Sequence, residues 1–92
     1  MFLVTCYDVP AKRTSKYRKL LGRYLNAAQN SVFMGDISLT KYRKLHREIG
    51  MLKQDDDRIL FIYTENRHNV GVSRWEDAGE EKDFSHKGSS IT

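Results

Sequence analysis

Apolar residues run almost unbroken from Phe2 to Val9, and the run is rich in β-forming side chains, the pattern of a short strand covered on both faces. Asp8 is its only charge. Beyond Pro10 the period changes: Tyr17, Leu20, Leu21, Tyr24 and Leu25 fall at i, i+3, i+4, i+7 and i+8 and predict an amphipathic helix, with Thr14 or Ser15 as its cap. Gln29 to Ile37 returns to strand character through Val32, Phe33, Met34 and Ile37, and Gly35 within it suggests a bulge or a close approach. Ser38 offers a second cap ahead of the stripe Leu39, Tyr42, Leu45, Ile49 and Leu52, which ends between Gly50 and Lys53. Gln54 to Asp57 reads as a polar turn. Arg58 to Glu65 is a second nearly continuous apolar run and reads as another central strand, followed by a turn at Asn66 to Asn69 and a short strand at Val70 to Trp75. From Glu76 onward Phe84 and Ile91 are the only large apolar residues, so this segment is either a loose tail or a strand that docks elsewhere.

Four strands and two helices predict an α+β sandwich in which both helices cover one face of a four-stranded sheet. A chain of 92 residues supports one such unit, taken as residues 1–75, with 76–92 as a C-terminal tail. The strands look too apolar to leave the other sheet face to water. A second copy of the chain is expected to close it, since two-fold dimers are the commonest oligomers. No apolar run approaches the roughly 20 residues of a membrane helix. The N-terminal run has no basic residue ahead of it and is broken by Asp8, so it reads as a strand and not as a secretory signal. Cys6 is the single cysteine, and His46, His68 and His86 are too dispersed for a zinc site, which points to the cytoplasm.

Charge changes the picture. The net value is +4, yet residues 1–54 hold eleven Lys and Arg against three acids, a local +8, while the remainder is −4. A basic half of this kind calls for an anionic partner, of which nucleic acid is the commonest. On a helical wheel Lys12, Lys16, Lys19 and Arg23 form a ridge opposite the apolar stripe, with Arg13 beside it, and Arg43, Lys44 and Arg47 extend the surface. A merely solvated face would intersperse acids for i, i+4 pairing, but the first helix has none.

The chemical candidate is Asp8, because a carboxylate at the end of a buried strand can hold a hard cation at a loop-facing edge. Its bland alternative is a carboxylate that bonds backbone amides where the chain turns. Asp36 is a possible second ligand, although its place beside Ser38 suits a capping role. Ser31 either bonds near Asp8 or satisfies strand backbone. Tyr7, Phe33 and Trp75 could stack on bases, but strand aromatics are usually core or interface. Asp55, Asp56 and Asp57 lack the glycine and ligand spacing of a calcium loop and read as a solvated turn, and Cys6 reads as a buried thiol.

Together, the strand ending in Tyr7-Asp8-Val9, the basic helix after it, the segment QNSVFMGDI leading into a second helix and the late strand RILFIY resemble the small CRISPR-associated endoribonuclease family Cas2. The similarity covers roughly residues 1 to 75. It implies a ferredoxin-like fold, a symmetric homodimer, magnesium held by the strand-end aspartates, and duplex DNA or RNA as partner. It further implies work beside the CRISPR integrase in spacer acquisition, catalysis at Asp8 with Tyr7, Ser31 and Phe33 in support, and a last strand within 76–92 that crosses to the other subunit. Members of that family often carry an aspartate pair after the strand-end motif and an arginine before the Gln29-like position. Here Pro10-Ala11-Lys12 and Ala27 and Ala28 hold those places, a departure that bears on nuclease activity more than on DNA binding. The competing expectations are a stand-alone, toxin-like endoribonuclease and a purely structural dimer.

Overall fold

The computed structural model describes residues 1–65, 71–76 and 80–83. Within them the order is β1 (Phe2–Asp8), a 3-10 turn (Ala11–Arg13), α1 (Thr14–Leu21), β2 (Asn26–Gln29), β3 (Val32–Asp36), α2 (Leu39–Leu52), β4 (Arg58–Thr64), β5 (Ser73–Glu76) and β6 (Glu80–Asp83). The first four strands form one sheet in the order β2-β3-β1-β4, with every neighbouring pair antiparallel. This is the ferredoxin-like arrangement. Leu3 and Tyr7 of β1 and Phe33 of β3 share a core with Tyr17, Leu20 and Leu21 of α1 and with Leu45 and Ile49 of α2, so both helices lie on one sheet face. Among the described residues no helix is long and apolar enough to cross a membrane.

Several boundaries differ from the sequence pattern, each for a local reason. The first apolar stripe runs to Leu25, but α1 stops at Leu21. The bonds from Tyr24 N to Leu21 O (3.0 Å) and from Leu25 N to Leu21 O (2.8 Å) keep the turn coiled, so Leu25 still faces the core. Neither Thr14 nor Ser15 caps α1, which grows directly out of the 3-10 turn with Arg13 at its cap position and no side-chain cap. Ser38 does cap α2, its Oγ accepting from Lys41 N at 3.1 Å. The stretch read as one strand from Gln29 is the arm of a hairpin, with β2 folding back through Asn30 and Ser31 onto β3. The register shift falls between Ala27 and Gln29 rather than at Gly35.

Among the described residues β4 is an edge strand and not a central one. Its run looks buried on both faces because one face packs under α2, where Tyr42 lies 5.9 Å from Phe61 and His46 5.1 Å from the same ring, and the other belongs to an apolar open face. The strand expected at Val70 to Trp75 is Ser73–Glu76. It pairs with β6 in a separate two-stranded sheet, so the boundary drawn at residue 75 cuts β5. The expected tail strand Phe84 to Ile91 lies outside the described residues, as do His68 and His86.

Candidate nucleic-acid interface

Alternation along β1 sends Leu3 and Tyr7 into the core and leaves Val4, Cys6 and Asp8 on the open face. The end of the strand is held firmly. Tyr7 N donates to Ser31 O at 3.1 Å, Tyr7 OH donates to Asn30 O at 2.8 Å, and the Tyr7 ring stacks on Tyr17 with centroids 5.5 Å apart. Tyr7 and Phe33 are therefore core residues that fix the strand end, and neither ring is available to a base. Ser31 contributes its carbonyl to the same anchoring. Trp75 is placed in β5, and its ring lies outside what is described.

Asp8 emerges exposed at the end of this anchored strand, directly opposite Arg58 of β4. Asp36 pairs with Phe2 at the other end of β1, about 20 Å away at the usual rise per residue, so Asp8 and Asp36 of one chain cannot share an ion. Nor is Asp36 the helix cap, a position that Ser38 fills. Among the described residues no group of three or more His, Cys, Asp or Glu could hold a metal. A lone carboxylate fits magnesium only as part of a wider set, because that ion keeps several waters and takes one or two carboxylates together with substrate phosphates. Cys6 is half-buried on the open face, between Val32 and Leu60 in the ladders.

The basic ridge divides. Lys16 and Lys19 are exposed on α1, Lys12 sits in the 3-10 turn before it and Arg23 in the turn after it, and all four face solvent. Lys16, Lys19 and Arg23 border one groove between the helices together with Leu20, Met51, Leu52 and the acid Glu48, whose carboxylate accepts from Tyr24 OH at 2.6 Å. Lys12 instead borders a depression shared with Lys53, Asp55 and Asp56. Arg43, Lys44 and Arg47 are exposed on α2.

Arg13 does not belong to this surface. Its Nε lies 3.1 and 3.0 Å from the two carboxylate oxygens of Asp57, and its Nη2 donates to Leu52 O at 2.6 Å. Asp57 is only 2% exposed and also accepts from Tyr17 OH at 2.7 Å and Gln54 N at 3.0 Å. The guanidinium is thus consumed by a buried clamp, which corrects both the assignment of Arg13 to phosphate binding and the reading of Asp57 as part of a solvated turn. Arg13 foremost, then the Tyr17 hydroxyl and the Gln54 amide, hold the Asp57 carboxyl down at about 2. Burial, followed by the bond to Asp57, pushes the Tyr17 phenol up to about 12. Sequence reasoning also missed Arg58, because only the β1–β4 register places it beside Asp8.

The first 70 residues match the family model described as CRISPR associated protein Cas2. The chain is 32% identical to the CRISPR-associated endoribonuclease Cas2 of Methanosarcina acetivorans, across 89% of this chain and 92% of that protein. It is 38% identical to the protein of the same description from Haloferax volcanii, across 87% and 93%. A crystal structure of Cas2 superposes with a TM-score of 0.65 at 34% identity, covering 67% of this chain and 71% of that one.

Proposed function

The chain belongs to the CRISPR-associated Cas2 family, and on that premise we propose that it is a homodimeric nucleic-acid-binding protein of CRISPR spacer acquisition. It bridges the integrase and duplex DNA in the cytoplasm and carries a magnesium-dependent endonuclease activity centred on Asp8. The observation that carries this reading is the row of exposed cations Lys16, Lys19 and Arg23, with Lys12 exposed ahead of them, around a helix without a single acid. Such a row neutralises successive phosphates without reading base edges, which suits a partner that must accept any sequence.

The chain's own residues divide the work. The cations hold the phosphate backbone, while Tyr7, locked by Asn30 and Ser31, fixes the strand end from which Asp8 projects. Asp8 from each of two copies would hold the magnesium ion, which when bound supplies charge neutralisation at a phosphate and a water of lowered pKa. A second reading, in which cleavage of RNA is the main activity, draws on the name endoribonuclease that the relatives from Methanosarcina acetivorans and Haloferax volcanii carry.

Asp8→Asn separates the parts. The near-isosteric change removes the charge that a cation needs but leaves the basic row intact. Magnesium-dependent cleavage of RNA or duplex DNA should fall by two orders of magnitude or more, given the several kcal/mol that such charge stabilisation typically supplies (~3 kcal/mol, ~100-fold). Duplex affinity should be retained, and the mutant mixed with integrase and substrate DNA should still support integration. An Asp8→Asn protein that stays dimeric and binds DNA normally but cannot support integration would overturn the bridging role as stated.

A further inference from the structure

The open sheet face is apolar through Val4, Cys6, Val32, Met34, Leu60 and Ile62, and it ends at one corner in two opposite charges. Asp8 and Arg58 are direct partners in the antiparallel ladder, which sets their Cβ atoms about 5 Å apart on the same face. Both are exposed, yet among the described residues neither side chain has a hydrogen-bond or ion-pair partner. They border a depression of about 270 Å³ whose other walls are Cys6, Tyr7, Ile59 and Leu60. Packing does not account for an arginine here, since the next β4 positions on this face, Leu60 and Ile62, are apolar.

The backbone that carries Arg58 is unusually well fixed. Its neighbour Asp57 is gripped by Arg13, Tyr17 and the Gln54 amide, and on the ladder side β1 is pinned through Tyr7. The strand end thus fixes where Arg58 starts from, and its guanidinium presents a planar fork of donors that matches the oxygens of a phosphate diester. Charge points the same way. Asp8 alone would repel a nucleic-acid strand from the very site assigned to it, whereas Arg58 directly opposite makes the corner neutral. Among the described residues no ion pair occupies the Arg58 guanidinium, so a phosphate has no carboxylate to displace from it.

We propose that Arg58 is a backbone-phosphate ligand of the strand-end site, holding the two non-bridging oxygens of a phosphodiester beside Asp8. The proposal deepens the reading of Asp8 given above and rests on it. DNA and RNA offer the same diester, so the test has an arm for each.

Full-length wild type, Arg58→Ala and Arg58→Lys are titrated by fluorescence anisotropy against a fluorescein-labelled DNA duplex and a fluorescein-labelled single-stranded RNA over a range of salt concentrations. Arg58→Ala should weaken binding about tenfold, as expected for loss of a charge-assisted contact, and lower the salt slope by about one. Arg58→Lys should keep the slope but recover only part of the affinity, because an ammonium retains the charge and not the fork. A loss confined to one probe assigns the phosphate to that nucleic acid. Arg58→Ala that binds both probes with unchanged affinity and slope, while wild type binds them, removes Arg58 alone. Wild type that binds neither probe removes this proposal and the reading beneath it. Arg58 lies at a corner of the face on which the dimer is proposed, so sedimentation of each variant checks that the dimer is intact, and the salt slope registers lost charge where a general loosening of the fold would not.

Discussion

Asp55, Asp56 and Asp57 are identical neighbours, yet only Asp57 is withdrawn from water. What distinguishes it is two partners far away in sequence, Arg13 and Tyr17, together with the nearby Gln54 amide and the Leu52 carbonyl that shares the guanidinium. Its carboxyl is held at about 2, below an ordinary aspartate near 3.9, so the unfolded chain takes up a proton more readily than the folded one. The contribution to stability is complete above the ordinary value and is lost as pH falls through about 2. Tyr17 acts at the opposite limit. Raised to about 12, its phenol contributes fully below the ordinary tyrosine value near 10 and loses that contribution as pH rises toward 12. Asp57→Asn should therefore lower the melting temperature at neutral pH far more than Asp55→Asn or Asp56→Asn. In a series of melting curves the deficit should shrink as the acid is titrated between pH 4 and pH 2. Equal melting temperatures for the three variants would contradict the clamp. None of this was legible in the sequence, because a pairing 44 residues apart leaves no local mark on either partner. Arg13 looked like one more cation beside Lys12, and Asp57 like one more acid.

At the level of elements the legible parts were those whose period repeats. α2 runs from Leu39 to Leu52, within the bounds that its stripe and the Ser38 cap set, and the long apolar runs became β1 and β4. β2 was illegible for a physical reason: Asn26–Gln29 is four residues without a β-branched or aromatic side chain, on an edge and broken by a bulge, so its pairing comes from β3 and not from its own propensity. The exposed basic face of α1 was legible as a wheel, except that Arg13 beside it is buried, and a matched pair of substitutions tests the proposed phosphate role. Lys16→Gln with Lys19→Gln removes two exposed charges at almost no cost in helix propensity. It should weaken binding to unrelated DNA duplexes alike and lower the salt slope by about two, read by anisotropy. Arg13→Gln should act the other way, leaving the slope nearly unchanged while the melting temperature drops, because its guanidinium is spent on Asp57. An unchanged slope in the double variant would return Lys16 and Lys19 to a solvated face.

For the molecule as a whole the decisive feature is the sheet face that, among the described residues, no helix covers. Leu60 and Ile62 are 56% and 53% exposed, and Val4, Cys6, Val32 and Met34 continue the patch across β1 and β3. Contiguous apolar surface of this kind is typical of interfaces, and the proposed homodimer would pair this face with its own copy across a two-fold axis. Sedimentation at low micromolar concentration should accordingly give about twice the chain mass of 10.8 kDa. Size follows from the two side chains that remain half-exposed. Fully burying a Leu or Ile is worth roughly 2 kcal/mol, so covering the exposed half gives roughly 1 kcal/mol each, and the four such side chains of a dimer give roughly 4 kcal/mol. Leu60→Ala with Ile62→Ala should then raise the dimer dissociation constant by nearly three orders of magnitude. The monomer should lose less, because the same side chains already face water there. The two-fold arrangement is also what would supply Asp8 twice, so the double variant should lose magnesium-dependent cleavage together with dimerisation while each chain keeps its cations. A double variant that sediments as a dimer would move the interface off this face. One that sediments as a monomer yet cleaves at the wild-type rate would show that a single Asp8 suffices.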